Sequence, residues 1–242
     1  MGAAAMGKVM MEEAGYWGFP IDTATFDFAL ATVGQIKDEQ EPIERLCKSA
    51  ADVVSRLTRL GLAAYYHKPT QIVPLHPVIK KSADSGIAAV MAGLDMVIRQ
   101  FFKKRSLTEL KAISNYLENM LHTRHSTSEP VLIFRLTDHL HQRAVALIQL
   151  VRTNERRDDY INEVVTALCD LVEESTIHYY HQPTDMVNLQ GFGKKTADVG
   201  IAQVQKAIQA LIRKLVSELS HSQLNELSHH IESMIHTMQA EP

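Results

Sequence analysis

The chain has 242 residues, 45% of them hydrophobic and 22% charged, with a net charge of −3. That balance suits a folded protein with a sizeable core and lacks the basic excess that nucleic-acid binding normally requires. No run reaches the ~18 apolar residues of a membrane span, so a non-membrane, cytoplasmic protein is expected.

The N-terminal MGAAAMGKVMMEE is interrupted by Glu12 and Glu13 and makes a poor signal peptide, and Met6 stands where myristoylation needs Ser or Thr. Residues 1–20 are read as an arm without a repeat counterpart. Its aromatics, including Trp17, the single tryptophan, are expected to lock it onto the protein's own surface.

From residue 21 the chain repeats itself. Residues 65–100 recur at 179–214, shifted by 114 without a gap. Seventeen of these 36 positions are identical: Tyr-Tyr-His, Pro-Thr, Val, Leu, Lys-Lys, Ala-Asp, Gly-Ile-Ala, Val and Ile-Arg. Such self-similarity sets the architecture before any single motif does. The organisation expected is an arm at 1–20, one helical repeat at 21–125, a linker at 126–130 and a second repeat at 131–238.

Each repeat parses into four helices. Asp22 caps the first, which runs to about Glu39, and Pro42 opens the second. The second helix carries Ile43, Leu46, Cys47, Ala50, Val53, Val54, Leu57 and Leu60 on one face, and Ile161, Val164, Val165, Leu168 and Leu171 mark its counterpart. After Tyr-Tyr-His the prolines at 69, 74 and 77 predict a loop of about fourteen residues, extended near Ile72–Leu75. The third helix is expected to resume at Ser82 or Thr196 as N-cap. Its stripes are Ile87, Val90, Met91, Leu94, Val97, Ile98 and Phe101, answered by Ile201, Val204, Ile208, Leu211 and Leu215. Ser106-Leu-Thr-Glu109 and Ser220-His-Ser-Gln223 are capping boxes for the fourth helix in each copy. The fold class is all-α, about eight main helices packed with pseudo-twofold symmetry, like an isologous dimer on one chain.

Candidate chemistry centres on polar residues that the two copies share: Tyr66, His67, Thr70, Lys80, Lys81 and Asp84, and Tyr180, His181, Thr184, Lys194, Lys195 and Asp198. Lys-Lys-Ser/Thr at the start of a helix would favour a phosphate or carboxylate through unpaired amides and the helix dipole. The same residues would equally serve to satisfy a long loop's backbone. Between them, His76 occurs in the first copy only.

A second pattern is Glu118 with His122 and Glu232 with His236, four residues apart near the end of the fourth helix, where each pair would share one face and could hold a metal. The di-iron carboxylate spacing is absent. His139, His141, His221, His229 and His230 read as scattered helix-surface residues, and Cys47 and Cys169, at non-equivalent positions, as buried reduced thiols. No nucleotide or cofactor fingerprint occurs. The expectation is a non-enzymatic binding or regulatory protein for a protein partner or small anion. The alternatives are a metal-dependent enzyme using His67, Asp84, Glu118 and His122 or their equivalents, and an oligomerisation scaffold.

Overall fold

The computed structural model describes residues 14–73, 77–124, 127–187 and 192–238. Eight long helices dominate, as expected, around a small four-stranded sheet. In chain order these are β1 (Ala14–Pro20), α1 (Thr23–Lys37), α2 (Ile43–Leu62), a short α3 (Lys68–Ile72), α4 (Pro77–Phe102), α5 (Leu107–Glu118), β2 (Leu121–Thr123), β3 (Pro130–Arg135), α6 (Asp138–Thr153), α7 (Ile161–Thr176), a short α8 (Gln182–Met186), α9 (Phe192–Val216), α10 (His221–Glu232) and β4 (Ile235–Met238).

The helix starts follow their local chemistry. The Asp22 carboxylate accepts from Thr25 N at 2.8 Å, Pro42 is the N-cap of α2, and both capping boxes form, Ser106 with Glu109 and Ser220 with Gln223. Ser106→Ala is expected to lower unfolding free energy by about 1 kcal/mol; a urea titration showing no change would mean that the box contributes nothing.

The sheet corrects the reading of the N-terminus. Residues 14–20 are not an arm on the surface but an inner strand of the sheet, whose order is β2-β3-β1-β4 and whose pairings are all antiparallel. Gly18 sits opposite Ile133, and Trp17 opposite both Phe134 and Ile235. Trp17 and Phe19 are 3% and 2% exposed. Only glycine fits at 18, because a Cβ there would lie 2.0 Å from the Leu132 carbonyl oxygen. Pro130, taken as the end of the linker, opens β3. No strand was expected in these places: β2 and β4 are too short to show alternation, and Val131–Phe134 is a continuous apolar run whose period is uninformative.

The strand order also interlocks the halves. Each strand next to β1 comes from residues 130–238, and each strand next to β3 comes from residues 14–123. Two bundles on a tether would show no such pairing.

The proline-containing segments are the second correction. The chain does not leave α2 as a loop; it widens into a π-helical turn at Ala63–His67 and continues into α3, and Ile177–His181 does the same before α8. Lys68 N bonds Ala63 O, and Gln182 N bonds Ile177 O. The wider turn absorbs Pro69 and Pro183, whose missing N–H groups would break an ordinary i→i−4 ladder. Of the extended stretch expected near Ile72–Leu75, Ile72 is helical and Val73 is extended, at φ −114° and ψ 95°; residues 74–76, with His76, lie outside the described residues. Helices α4 and α9 begin at Pro77 and Phe192, so Ser82 and Thr196 fall inside helices and are not N-caps.

These turns send each short helix into the other half's core. Val73, after α3, packs with Val151, Tyr160, Ile161 and Leu219. Val187, after α8, packs with Ile36, Leu46, Phe102 and Leu110. Both cysteines are buried and free.

Candidate functional site

Between the halves lies a chamber of about 480 Å³, walled by residues of the two π-turns, the strands β1 and β3, and the inner faces of α2, α4, α5, α7, α9 and α10. The α4 and α9 stripes form much of its wall. Leu94, Val97 and Ile98 face Ile208, Leu211 and Ile212 in the equivalent places, and all six are only half-buried because one side meets the void. The wall is duplicated like the sequence: Leu57 and Leu171, Pro69 and Pro183, and Met120 and Met234 each stand 114 residues apart. No Asp, Glu, Lys or Arg is among its described residues.

At the centre the two copies touch. The Tyr65 and Tyr179 hydroxyls lie 3.3 Å apart. Phe19 presents its ring edge-on to Tyr65 at 5.4 Å, and Trp17 stacks on Tyr65 at 6.0 Å. Both phenols lie deep in the protein, so burial pushes their pKa values upward and the hydroxyls stay protonated. What surface they retain faces the chamber.

The shared polar motif divides between wall and scaffold. Tyr66, Thr70, Tyr180 and Thr184 line the chamber, whereas His67, His181, the four lysines, Asp84 and Asp198 do not. The Tyr66 hydroxyl donates to Asp84 at 2.9 Å and Tyr180 donates to Asp198 at 2.9 Å, each bond tying a π-turn to the following long helix. Thr70 and Thr184 donate to the carbonyls of His67 and His181 at 3.0 and 2.9 Å. His67 and His181 are exposed, each edge-on to the preceding tyrosine at 5.2 Å. Lys80 binds Asp84 at 2.7 Å, and this ammonium, with Tyr66, holds the Asp84 carboxyl below its usual range. Lys194 instead binds Asp185 at 3.0 Å, while Lys81 and Lys195 are exposed. Inter-helix bonding thus accounts for tyrosine and aspartate being kept in both copies. Lys80 and Lys194 are each engaged by a carboxylate, and those carboxylates are not repeat equivalents.

The Glu–His pairs do not share a helical face. α5 ends at Glu118 and α10 at Glu232, so His122 and His236 lie on β2 and β4. Glu118 pairs with Lys37, and Glu232 with Arg152 at 2.7 Å. His122 Nε2 bonds Asn119 O at 2.9 Å. Among the described residues no three His, Cys, Asp or Glu side chains converge as a metal site.

Three chamber residues escaped sequence reasoning. Tyr116 lies 3.0 Å from His178 O and 2.5 Å from Gln182 Oε1, either of which can accept its proton. His230, read as a surface residue, is half-buried, and its Nε2 donates to Ala64 O at 2.9 Å. Residues 116 and 230 are repeat equivalents, so each half's last helix supplies a side chain to a carbonyl in the other half's π-turn. The third is His178, which stacks on Phe134 at 4.4 Å. Its equivalent is Ala64, so the mismatch hid its role.

Burial lowers the pKa values of His178 and His230 and takes His236 down to about 4. All three are neutral when folded at neutral pH but protonate readily once unfolded. Their stabilisation is present above the unfolded value of ~6.5 and is lost as pH falls toward about 4. Urea titrations from pH 7 to pH 4.5 are expected to show declining stability, with a shallower decline in His236→Gln. An unchanged slope in that variant would remove His236 as a contributor.

Segment Ala83–Phe102 within α4 is long and apolar enough to cross a membrane, with hydropathy 1.3. No such segment was expected, because Asp84, Asp95 and Arg99 interrupt the run. Its apolar character has two sources in the fold: inward residues wall the chamber, and Ala88, Ala89, Ala92, Gly93 and Met96 face outward.

Compared with known proteins, the chain matches no family, no curated protein and no solved structure.

Proposed function

We propose that this is a small-molecule-binding protein whose ligand is an uncharged, largely apolar compound held between the two repeats. The observation that carries the reading is the uncharged chamber of about 480 Å³. Ligand sites commonly measure roughly 300–1,000 Å³ and are lined by apolar and aromatic side chains with few polar groups. At about 24 cal/mol per Å³, an unfilled apolar void of this size would cost on the order of 10 kcal/mol, comparable with a whole domain's stability. That cost favours a chamber that is filled over one left as packing slack. A charged ligand group would be left without a counter-ion in it.

An anion at the paired lysines has weaker support. Lys80 and Lys194 are already engaged by Asp84 and Asp185, and helix α4 opens at Pro77 instead of Ser82. An enzyme reading has weaker support: the wall brings Tyr116 within 3.3 Å of His178 Nδ1, but that hydroxyl also lies 3.0 Å from the His178 carbonyl and 2.5 Å from Gln182 Oε1, which can take its proton.

The single tryptophan, Trp17, lies on the chamber wall and reports on it directly. Titration with the neutral probe N-phenyl-1-naphthylamine is expected to quench Trp17 by energy transfer and to saturate at micromolar concentration, about 8 kcal/mol of binding. A linear, non-saturating response would remove the proposal.

A further inference from the structure

Resting on the apolar-ligand reading, we infer that the ligand class is a neutral molecule with an acceptor oxygen in its middle, flanked by two hydrocarbon arms, bound with that oxygen on the Tyr65–Tyr179 hydroxyl pair. The chamber has two like lobes, since its wall residues recur 114 positions apart, as in Ile87 and Ile201, or Leu117 and Ile231. The lobes meet at the two hydroxyls, 3.3 Å apart. A compound with one polar end and one tail would match only one lobe, whereas two arms about a central polar group match both.

Proton counting gives the central group its type. Two phenol hydroxyls carry two protons, and their mutual bond uses one. The Trp17 indole that accompanies Tyr65 can only donate, so it takes up no proton. Among the described residues neither hydroxyl has a further acceptor, and both phenols are half-buried, each on the chamber wall. One O–H is therefore left to donate into an apolar space, where an unmet donor is costly and a ligand carbonyl or ether oxygen would meet it. A carboxylate would bring a charge that no described wall residue balances.

The test is displacement of N-phenyl-1-naphthylamine by four straight-chain compounds of equal length: a ketone with its carbonyl at the centre, the 2-ketone, the alkane and the carboxylic acid, at pH 8. The central ketone is expected to displace the probe at about one-tenth the concentration that the alkane needs, with the 2-ketone close to the alkane and the acid weakest. In Tyr65→Phe/Tyr179→Phe the ketone loses its advantage and the alkane does not weaken. Equal ketone and alkane, an equally good 2-ketone, a dominant acid, or an advantage that survives in the double variant would each overturn the inference while leaving the chamber as an apolar site. Failure of the alkane, the ketones and the probe alike would overturn both readings. The four-compound comparison on the parent protein stands even if the double variant does not fold.

Discussion

Phe19→Ala is expected to lower the unfolding free energy by about 3–5 kcal/mol, the range for truncating a buried phenylalanine. In a protein of this size that corresponds to a fall in Tm of roughly 10 °C. Phe19 is 2% exposed, sits on an inner strand of the sheet and meets the rings of both Tyr65 and Tyr179. Its loss leaves a cavity at the seam between the repeats, next to a chamber that already lacks packing. Residues on a terminal arm at the surface would behave differently, since substitutions there usually fall within about 0.5 kcal/mol of neutral. Chemical denaturation with an unchanged m-value separates the alternatives. A loss under about 1 kcal/mol would mean that strand β1 does not organise the core.

The largest effect on binding is expected from Leu94→Trp/Ile208→Trp. These residues are repeat equivalents on α4 and α9 and line opposite lobes of the chamber. Two indoles would project into the void in place of smaller aliphatic side chains. Binding of N-phenyl-1-naphthylamine is expected to weaken at least about 100-fold, near 3 kcal/mol. The melting temperature should stay level or rise, because filling apolar space restores lost contacts. Added tryptophans complicate energy transfer, so the probe's own emission, excited directly, is the readout. Unchanged affinity would place the binding site elsewhere. A collapse in stability together with lost binding would point to overpacking; the milder pair Leu94→Phe/Ile208→Phe then repeats the test, and binding that persists in it would reject the chamber as the site.

Local chemistry was legible wherever a few neighbouring residues decide the outcome. Asp22, Pro42 and the two capping boxes start their helices where side-chain geometry says they should. The stripes of α2, α4 and α9 were also correctly placed on one face. What a stripe faces was not legible: the period of Ile201, Val204, Ile208 and Leu211 is the same whether the helix seals a core or walls a void. The polar motif was visible as a set, but its division was not. Tyr66 and Asp84 are eighteen residues apart and meet only because a π-turn replaces the expected loop.

The amino-acid sequence by itself determined that residues 65–100 recur at 179–214, where α1, α2, α5 and α10 begin, and which polar residues the two stretches share. Those properties depend on neighbours within a few positions or on comparison along the chain. Only the tertiary structure decided that 14–20 is an inner strand, that Val73 and Val187 exchange cores, and that Tyr65 and Tyr179 meet in the wall of a chamber. Each arises from contacts between segments 60 or more residues apart, whose partners are chosen by packing and backbone pairing rather than by local propensity.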